Sequence, residues 1–453
     1  MPGSRWGLES DEDGCPRSRS GSLSIQFVVT PKRGEPPADF PSFPERRTVP
    51  FALVALAVGA FGIGTAEFVM MGVLPQAAAE LGVSIPTAGN LISGYALGVV
   101  VGAPALTLLG ARLSRKTMLV LTMSMFTAGN ALFALAPSAG VGVFFRFLTG
   151  LPHGAFFGAG AVVAATMAGP GNRAKAVSMM FMGLTLANVV GVPLGTLLGQ
   201  QFGWRATFAV VAVIGMAGVA AIARLVPDQG RPVAGQSAVL EQLAAFRSPQ
   251  VWLALAIVTF GLGGTFAVLS YLTPILTDVS GYSPTGVTVL LALAGLGMTA
   301  GNFLGGRIAD KAVMPGVYAA LVGVAAVLGL FTFTSGNKVA AAVTVFAIGA
   351  VGFMVAPIMQ ALVMDKAGGA PSLVSAALQS AFNIANSIGA YAGGLVIAHG
   401  LGLLAPNLVG VALAAIGIAL AATLGTVDRK RPEVARPEPV PAPVRPLPQP
   451  VPA

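Results

Sequence analysis

Phe61-Gly62-Ile63-Gly64 and, 199 positions later, Phe260-Gly261-Leu262-Gly263 open the stretch that decides how this chain folds. From there two copies run in step. Pro75 falls on Pro274, and Gly82-Val83-Ser84 on Gly281-Tyr282-Ser283. Leu91, Leu97, Gly98 and Gly102 meet Leu290, Leu296, Gly297 and Gly301. After one residue of drift, Asn188, Gly191 and Gly195 meet Asn386, Gly389 and Gly393. The spacing survives through long apolar stretches, so the unit that repeats is a whole membrane bundle rather than a solenoid module. Two parallel-related halves in a membrane protein mark one transporter architecture.

Composition agrees. The 453 residues are 55% hydrophobic and 9% charged, with mean hydropathy +0.80, against roughly 25% charged residues in a soluble domain. The net charge of +9 is spread over short loops and the C-terminal tail. It reads as topological charge in a lipid bilayer, not as a nucleic-acid patch. The single cysteine, Cys15, allows no intrachain disulfide or cysteine metal cluster. His153 and His399 stand in no ligand spacing, so no metal or cofactor is expected.

Apolar segments of about 20 residues, enough to cross the hydrocarbon core, recur twelve times. They fall near 51–74, 88–110, 117–137, 141–166, 174–199, 205–226, 250–276, 286–308, 316–334, 338–364, 373–398 and 402–425. The expected organisation is a tail (1–49), a six-helix bundle (50–226), a linker (227–249) with a surface helix at 237–247, a second bundle (250–427) and a Pro-rich tail (428–453). Both tails have disorder-prone composition, and 1–49 lacks a signal-peptide apolar run. Even-numbered loops carry Arg112, Arg115, Lys116, Arg173, Lys175, Arg231, Arg247, Arg307, Lys311 and Lys366, whereas odd-numbered loops offer little beyond Arg205 and Lys338. With Arg46-Arg47 and Arg429-Lys430-Arg431 beside the bundle, this asymmetry places both termini in the cytoplasm.

Polar residues inside the spans are few, and each is costly there. Glu67 lies inside the first span, where it reads as half of a structural ion pair or as a functional acid. Arg146 lies about two turns into the fourth, and His153 two turns deeper. Arg146, Gly150, His153 and Gly154 share one helical stripe, with glycines that let a neighbour approach. Arg146 reads either as an anchor snorkelling to the interface or as a functional charge, and His153 as a packing hydrogen bond or a functional group. Gln379, Asn383 and Asn386 form a stripe on the eleventh span, and Asn188 is the repeat mate of Asn386. These amides either line a central substrate cavity or glue helices together. Asn90, Tyr95 and Tyr271 are further cavity candidates.

Several stretches resemble the major facilitator superfamily over about residues 50–427. Gly306-Arg307-Ile308-Ala309-Asp310-Lys311 is similar to its cytoplasmic G-x-x-x-D-R/K signature. In the first half the matching stretch keeps Arg112, Arg115 and Lys116 but has Thr107 for the glycine and Ala111 for the aspartate. The resemblance implies a gating role for Arg112, Arg115, Lys116, Gly306, Asp310 and Lys311. Arg146-Phe147-Leu148-Thr149-Gly150 resembles the fourth-span R-x-x-x-G motif that the family links to proton coupling. Gly183, Gly191, Pro193 and Gly195 resemble the fifth-span antiporter motif, with Val192 between glycine and proline. Gly64-Thr65-Ala66-Glu67-Phe68 followed by Gly72-Val73-Leu74-Pro75 resembles the twelve-span drug:proton antiporters, in the branch of sugar-efflux permeases and chloramphenicol-resistance exporters.

The expected fold is therefore all-α, with twelve transmembrane helices in two pseudo-symmetric six-helix bundles, in a bacterial plasma membrane and acting as a monomer. The expected function is proton-coupled efflux of a small, weakly polar solute such as a drug or sugar. In that reading Glu67, Arg146 and His153 handle protons while the halves rock about a mid-bilayer site. An uptake symporter uses the same fold and is the alternative; a non-transporting receptor or scaffold is a third reading. An enzyme is not expected, because no nucleophile–base pair, metal set or phosphate loop is present.

Overall fold

A computed structural model describes residues 48–168, 172–230, 245–366 and 371–429. Among the described residues, twelve helices are long and apolar enough to cross a bilayer. In the first half they are Phe51–Gly72, Ile85–Leu109, Arg115–Ala134, Ala139–Ala168, Lys175–Phe202 and Trp204–Leu225. In the second they are Pro249–Leu269, Pro284–Ala309, Val313–Thr334, Lys338–Lys366, Ala377–Ala398 and Ala405–Asp428. No strand occurs among the described residues. The tail compositions, Cys15, Arg46-Arg47, Arg231, Lys430-Arg431 and most of the expected 237–247 helix lie outside the described residues; Ala245–Arg247 is one 3₁₀ turn.

The twelve expected spans are found, with one marked difference in length. The seventh stops at Leu269, and a short turn (Leu272–Pro274) and a π-turn (Ile275–Val279) replace its expected last residues. Proline supplies the reason: Pro274 has no N–H to extend the ladder and its ring crowds the preceding turn. Pro75 does the same for the first span, which ends at Gly72 before a separate helix, Leu74–Leu81.

The quoted repeat is visible turn by turn. Gly82 and Gly281 hold φ of 65° and 67°, left-handed values that glycine adopts at no steric cost. Two residues on, Ser84 accepts from the Thr87 N–H at 3.3 Å and Ser283 from the Gly286 N–H at 3.2 Å. These N-caps, each worth about 1 kcal/mol, start the second and eighth spans. The matched glycines then set the same crossing twice. A Cβ on Gly98 would overlap the Phe147 carbonyl, and one on Gly297 the Phe346 carbonyl; Gly102 meets Leu151 as Gly301 meets Ala350. The second span packs on the fourth, and the eighth on the tenth, through backbone-to-backbone approach.

Between the halves, the second span packs on the eleventh and the fifth on the eighth, again as mates. These contacts gather at the end where Ser84 and Ser283 lie. Ser93 donates to the Ser387 carbonyl at 3.3 Å, Gln200 to the Pro284 carbonyl at 2.9 Å, and Thr273 to the Met71 carbonyl at 2.8 Å. The last bond follows from sequence: Pro75 cannot donate to the carbonyl four residues earlier, Met71, and a hydroxyl from the other half takes that place. Toward the opposite end, Arg173–Leu186 of the fifth span packs within its own half, against the first and fourth spans. Among the described residues, these bonds close the bundle at the Ser84–Ser283 end, away from the end that carries Arg112 and Lys311.

Candidate functional site

Arg146 is brought into the core by glycines. A Cβ on Gly150, one turn beyond it, would overlap the Tyr95 carbonyl, and one on Gly154 would overlap Ala103. The stripe read from sequence therefore faces the second span. This places the Arg146 guanidinium 4.4 Å from the centre of the Tyr95 ring, with Phe133 and Phe208 at 5.6 and 5.5 Å. Its Nε donates to the Leu91 carbonyl at 3.1 Å and its Nη1 to the Ala66 carbonyl at 2.9 Å. The residue is 0% exposed, which overturns the snorkelling alternative: the side chain ties the first, second and fourth spans together. Its Nη2 is buried with no hydrogen-bond partner.

Glu67 follows Ala66 directly and is buried at 7% exposure. No ion pair joins it to Arg146 among the described residues, although Arg146 bonds the carbonyl of the residue just before it. Glu67 and Arg146 are the only acid and base among the buried residues described, beside one histidine.

That histidine extends the cluster into the other half. His153 Nδ1 lies 3.0 Å from the Tyr95 hydroxyl, and its Nε2 lies 3.4 Å from Gln379 Nε2 on the eleventh span. With the Gln379 amide nitrogen donating, His153 Nε2 accepts, and the neutral ring carries its proton on Nδ1 toward Tyr95. Three residues read separately in the sequence thus form one chain, Tyr95–His153–Gln379, from the Arg146 cluster to the opposite bundle. Glu67 supplies a buried carboxylate in the first span, and the chain reaches from the second and fourth spans to the other half.

The other candidates divide. Asn383 donates to the Gln379 carbonyl at 3.1 Å but leaves its Oδ1 unpaired. Asn386 is buried with both amide atoms unpaired, and Asn188 with its Oδ1 unpaired. Asn188 borders a cavity of about 20 Å³ between the halves, shared with Phe68, Met71, Leu269, Leu291 and Gly295; that volume holds about one water. Asn90 is exposed. Tyr271 is buried at the shut end, where it packs against glycines and donates to the Ala390 carbonyl at 2.7 Å.

The antiporter-motif glycines press the fifth span onto the first: Gly183 against the Ala57 carbonyl, Gly191 against Thr65 and Gly195 against Val69. Immediately before Pro193 the helix widens into a π-turn, Ala187–Gly191, a distortion frequent at functional sites. Of the gating candidates, Arg112, Asp310 and Lys311 are exposed, while Arg115, Lys116 and Gly306 are half-exposed. The charged ones form no ion pair among the described residues. Nothing lies within 4 Å of a Cβ on Gly306. Ser93, Gln200 and Thr273 were missed as contacts between the halves. For Thr273 the signal was present, since Pro75 marks Met71 as a carbonyl in need of a donor.

A family model described as the Major Facilitator Superfamily matches residues 56–390. The chain is 42% identical over 366 residues to the inner membrane transport protein YdhP of Escherichia coli K12, covering 81% of this chain and 94% of that protein. It is 33% identical over 365 residues to a chloramphenicol resistance protein of Streptomyces lividans, covering 80% and 91%. Among solved structures it is similar to a bacterial homolog of the human lysosomal transporter Spinster, in an inward-facing and unoccupied conformation. That match has a TM-score of 0.65 at 17% identity and covers 85% of this chain and 98% of the other.

Proposed function

Because the chain belongs to the Major Facilitator Superfamily, and is thus a multi-pass membrane transporter, we propose that it exports a small, weakly polar organic solute in exchange for protons. The observation that carries this reading is a lone buried carboxylate, Glu67, one residue from the carbonyl that Arg146 grips. A carboxylate held in an apolar bundle with no ion-pair partner has an obvious task in accepting and releasing a proton. Movement of the fourth span would alter the Arg146 field at that carboxylate, and the Tyr95–His153–Gln379 chain would tie the change to the position of the other half. Substrate and proton then compete through the two states of one bundle, which is the linkage exchange requires.

The orientation proposed from basic loops puts both termini, and the end opposite the shut one, in the cytoplasm, the side from which an exporter loads its solute. Unpaired amide atoms at Asn188, Asn383 and Asn386, the first beside Phe68, Met71 and Leu291, suit a solute with a few hydrogen-bonding groups. The chloramphenicol resistance of one relative supports a drug-like compound of this kind.

The test is transport into everted vesicles under an imposed proton gradient, with chloramphenicol as the first probe in a chemically broad panel. Parent protein is expected to accumulate its solute when the lumen is acidic, and Glu67→Gln to lose that dependence while reaching the membrane at parental level. Gradient-driven transport unchanged in Glu67→Gln would remove the carboxylate from the mechanism. Accumulation driven only by the opposite gradient would make the protein an importer.

A further inference from the structure

Tyr271 stands at the break between the seventh span and the Leu272–Pro274 turn and is 0% exposed. Three glycines surround it. A Cβ on Gly89 or Gly394 would overlap its hydroxyl oxygen, and one on Gly393 would come within 3.0 Å of its ring. Gly393 and Gly394 belong to the eleventh span, in the same half as Tyr271, but Gly89 belongs to the second span of the other half. The hydroxyl donates to Ala390, also on the eleventh span. One wall of the slot that holds the ring is therefore supplied by the opposite bundle, at the shut end.

The internal repeat gives a second, independent observation. By the matching established from sequence, Gly72 is the mate of Tyr271, Thr288 of Gly89, and Thr196 of Gly394. Where the second–eleventh seam has one large residue and two glycines, the fifth–eighth seam has one glycine and two threonines. The substitution fits in space: the Thr196 side chain covers the place a Cβ on Gly72 would take, and Thr288 bonds Gln200 at 3.3 Å across the other seam. Volume has been exchanged among three equivalent positions so that both seams stay close-packed, as dense interiors require.

We propose that Tyr271 is the plug of the shut end. It moves with the second bundle through its bond to Ala390, and the end opens when Gly89 withdraws with the first bundle and empties one side of the slot. The assignment rests on the chain being a transporter, not on its solute or on protons.

The test reads gate position directly. In a Cys15→Ser background, spin labels on Thr87→Cys and His399→Cys, both exposed and on the two sides of the second–eleventh seam, report the separation of the halves in reconstituted protein. The parent is expected to show a short distance. Gly89→Val, whose side chain fills the slot, is expected to shift the population to longer distance, and Tyr271→Ala to broaden it in the same direction. Moving the solution of the fifth–eighth seam across, as Tyr271→Gly with Gly89→Thr and Gly394→Thr, is expected to restore the short distance that Tyr271→Gly alone loses. Should Gly89→Val fail to reach the membrane, Tyr271→Ala, which only removes volume, decides. Parental distances in both single variants, or no recovery in the triple variant, overturn the plug.

Discussion

Tyr95 performs two jobs with separable atoms: its ring covers the Arg146 guanidinium and its hydroxyl meets His153. Tyr95→Phe keeps the first and removes the second, leaving a buried ring nitrogen unpaired. The expected cost is about 1–3 kcal/mol, read as a lower thermal midpoint, with weaker coupling of transport to the proton gradient. Arg146→Lys is expected to be more severe. An ammonium cannot hold the Ala66 and Leu91 carbonyls in the guanidinium fork, and two charge-assisted bonds of about 1.5–3 kcal/mol each are at stake. The variant should reach the membrane poorly or transport at a small fraction of the parental rate in vesicles matched for protein content. That Arg146 and Glu67 matter was legible from their depth in apolar segments. That Arg146 grips a carbonyl beside Glu67 rather than the carboxylate was not, because every residue has a carbonyl and no side-chain pattern marks the one that will accept. Tyr95, His153 and Gln379 were each legible as polar outliers. Their union was not, since it depends on how the two halves lean together.

At the level of helices, the crossings that hold each half are set by absent side chains. Gly98→Ala and its mate Gly297→Ala place a methyl into a carbonyl of the crossing helix, and each is expected to destabilise by about 1–3 kcal/mol or more. Gly306→Ala meets nothing within 4 Å and is expected to leave the thermal midpoint unchanged. Near-equal losses in the first pair, beside a silent third, would show the repeat to be energetic as well as geometric. The spans themselves were readable because hydropathy over about 20 residues reports the thickness of a bilayer. The seventh was read too long because proline inside a membrane helix is often tolerated. Pro274 was not absorbed: the chain turns and widens there instead.

Across the whole molecule, the shut end is held by hydrogen bonds from side chains to backbone carbonyls, at Gln200, Thr273 and Ser93, and by packing. Each such bond contributes about 0.5–1.5 kcal/mol, so Gln200→Ala with Thr273→Val is expected to move the balance of states by roughly tenfold, about 1.4 kcal/mol, toward the opposite shape. Spin-label distances across the fifth–eighth seam check this. The duplication was plain in the sequence; which end is closed was not, because a repeat specifies two similar halves and leaves their tilt to a few contacts. The chemistry is also lopsided. The mates of Glu67, Arg146 and His153 are Phe266, Val345 and Gly352, so the first half alone carries these three ionisable groups. Closure at one face gives any blocker a sidedness. A membrane-impermeant compound that jams this shape must be delivered to the face bearing Arg112 and Lys311, and the same dose given on the other face finds no door.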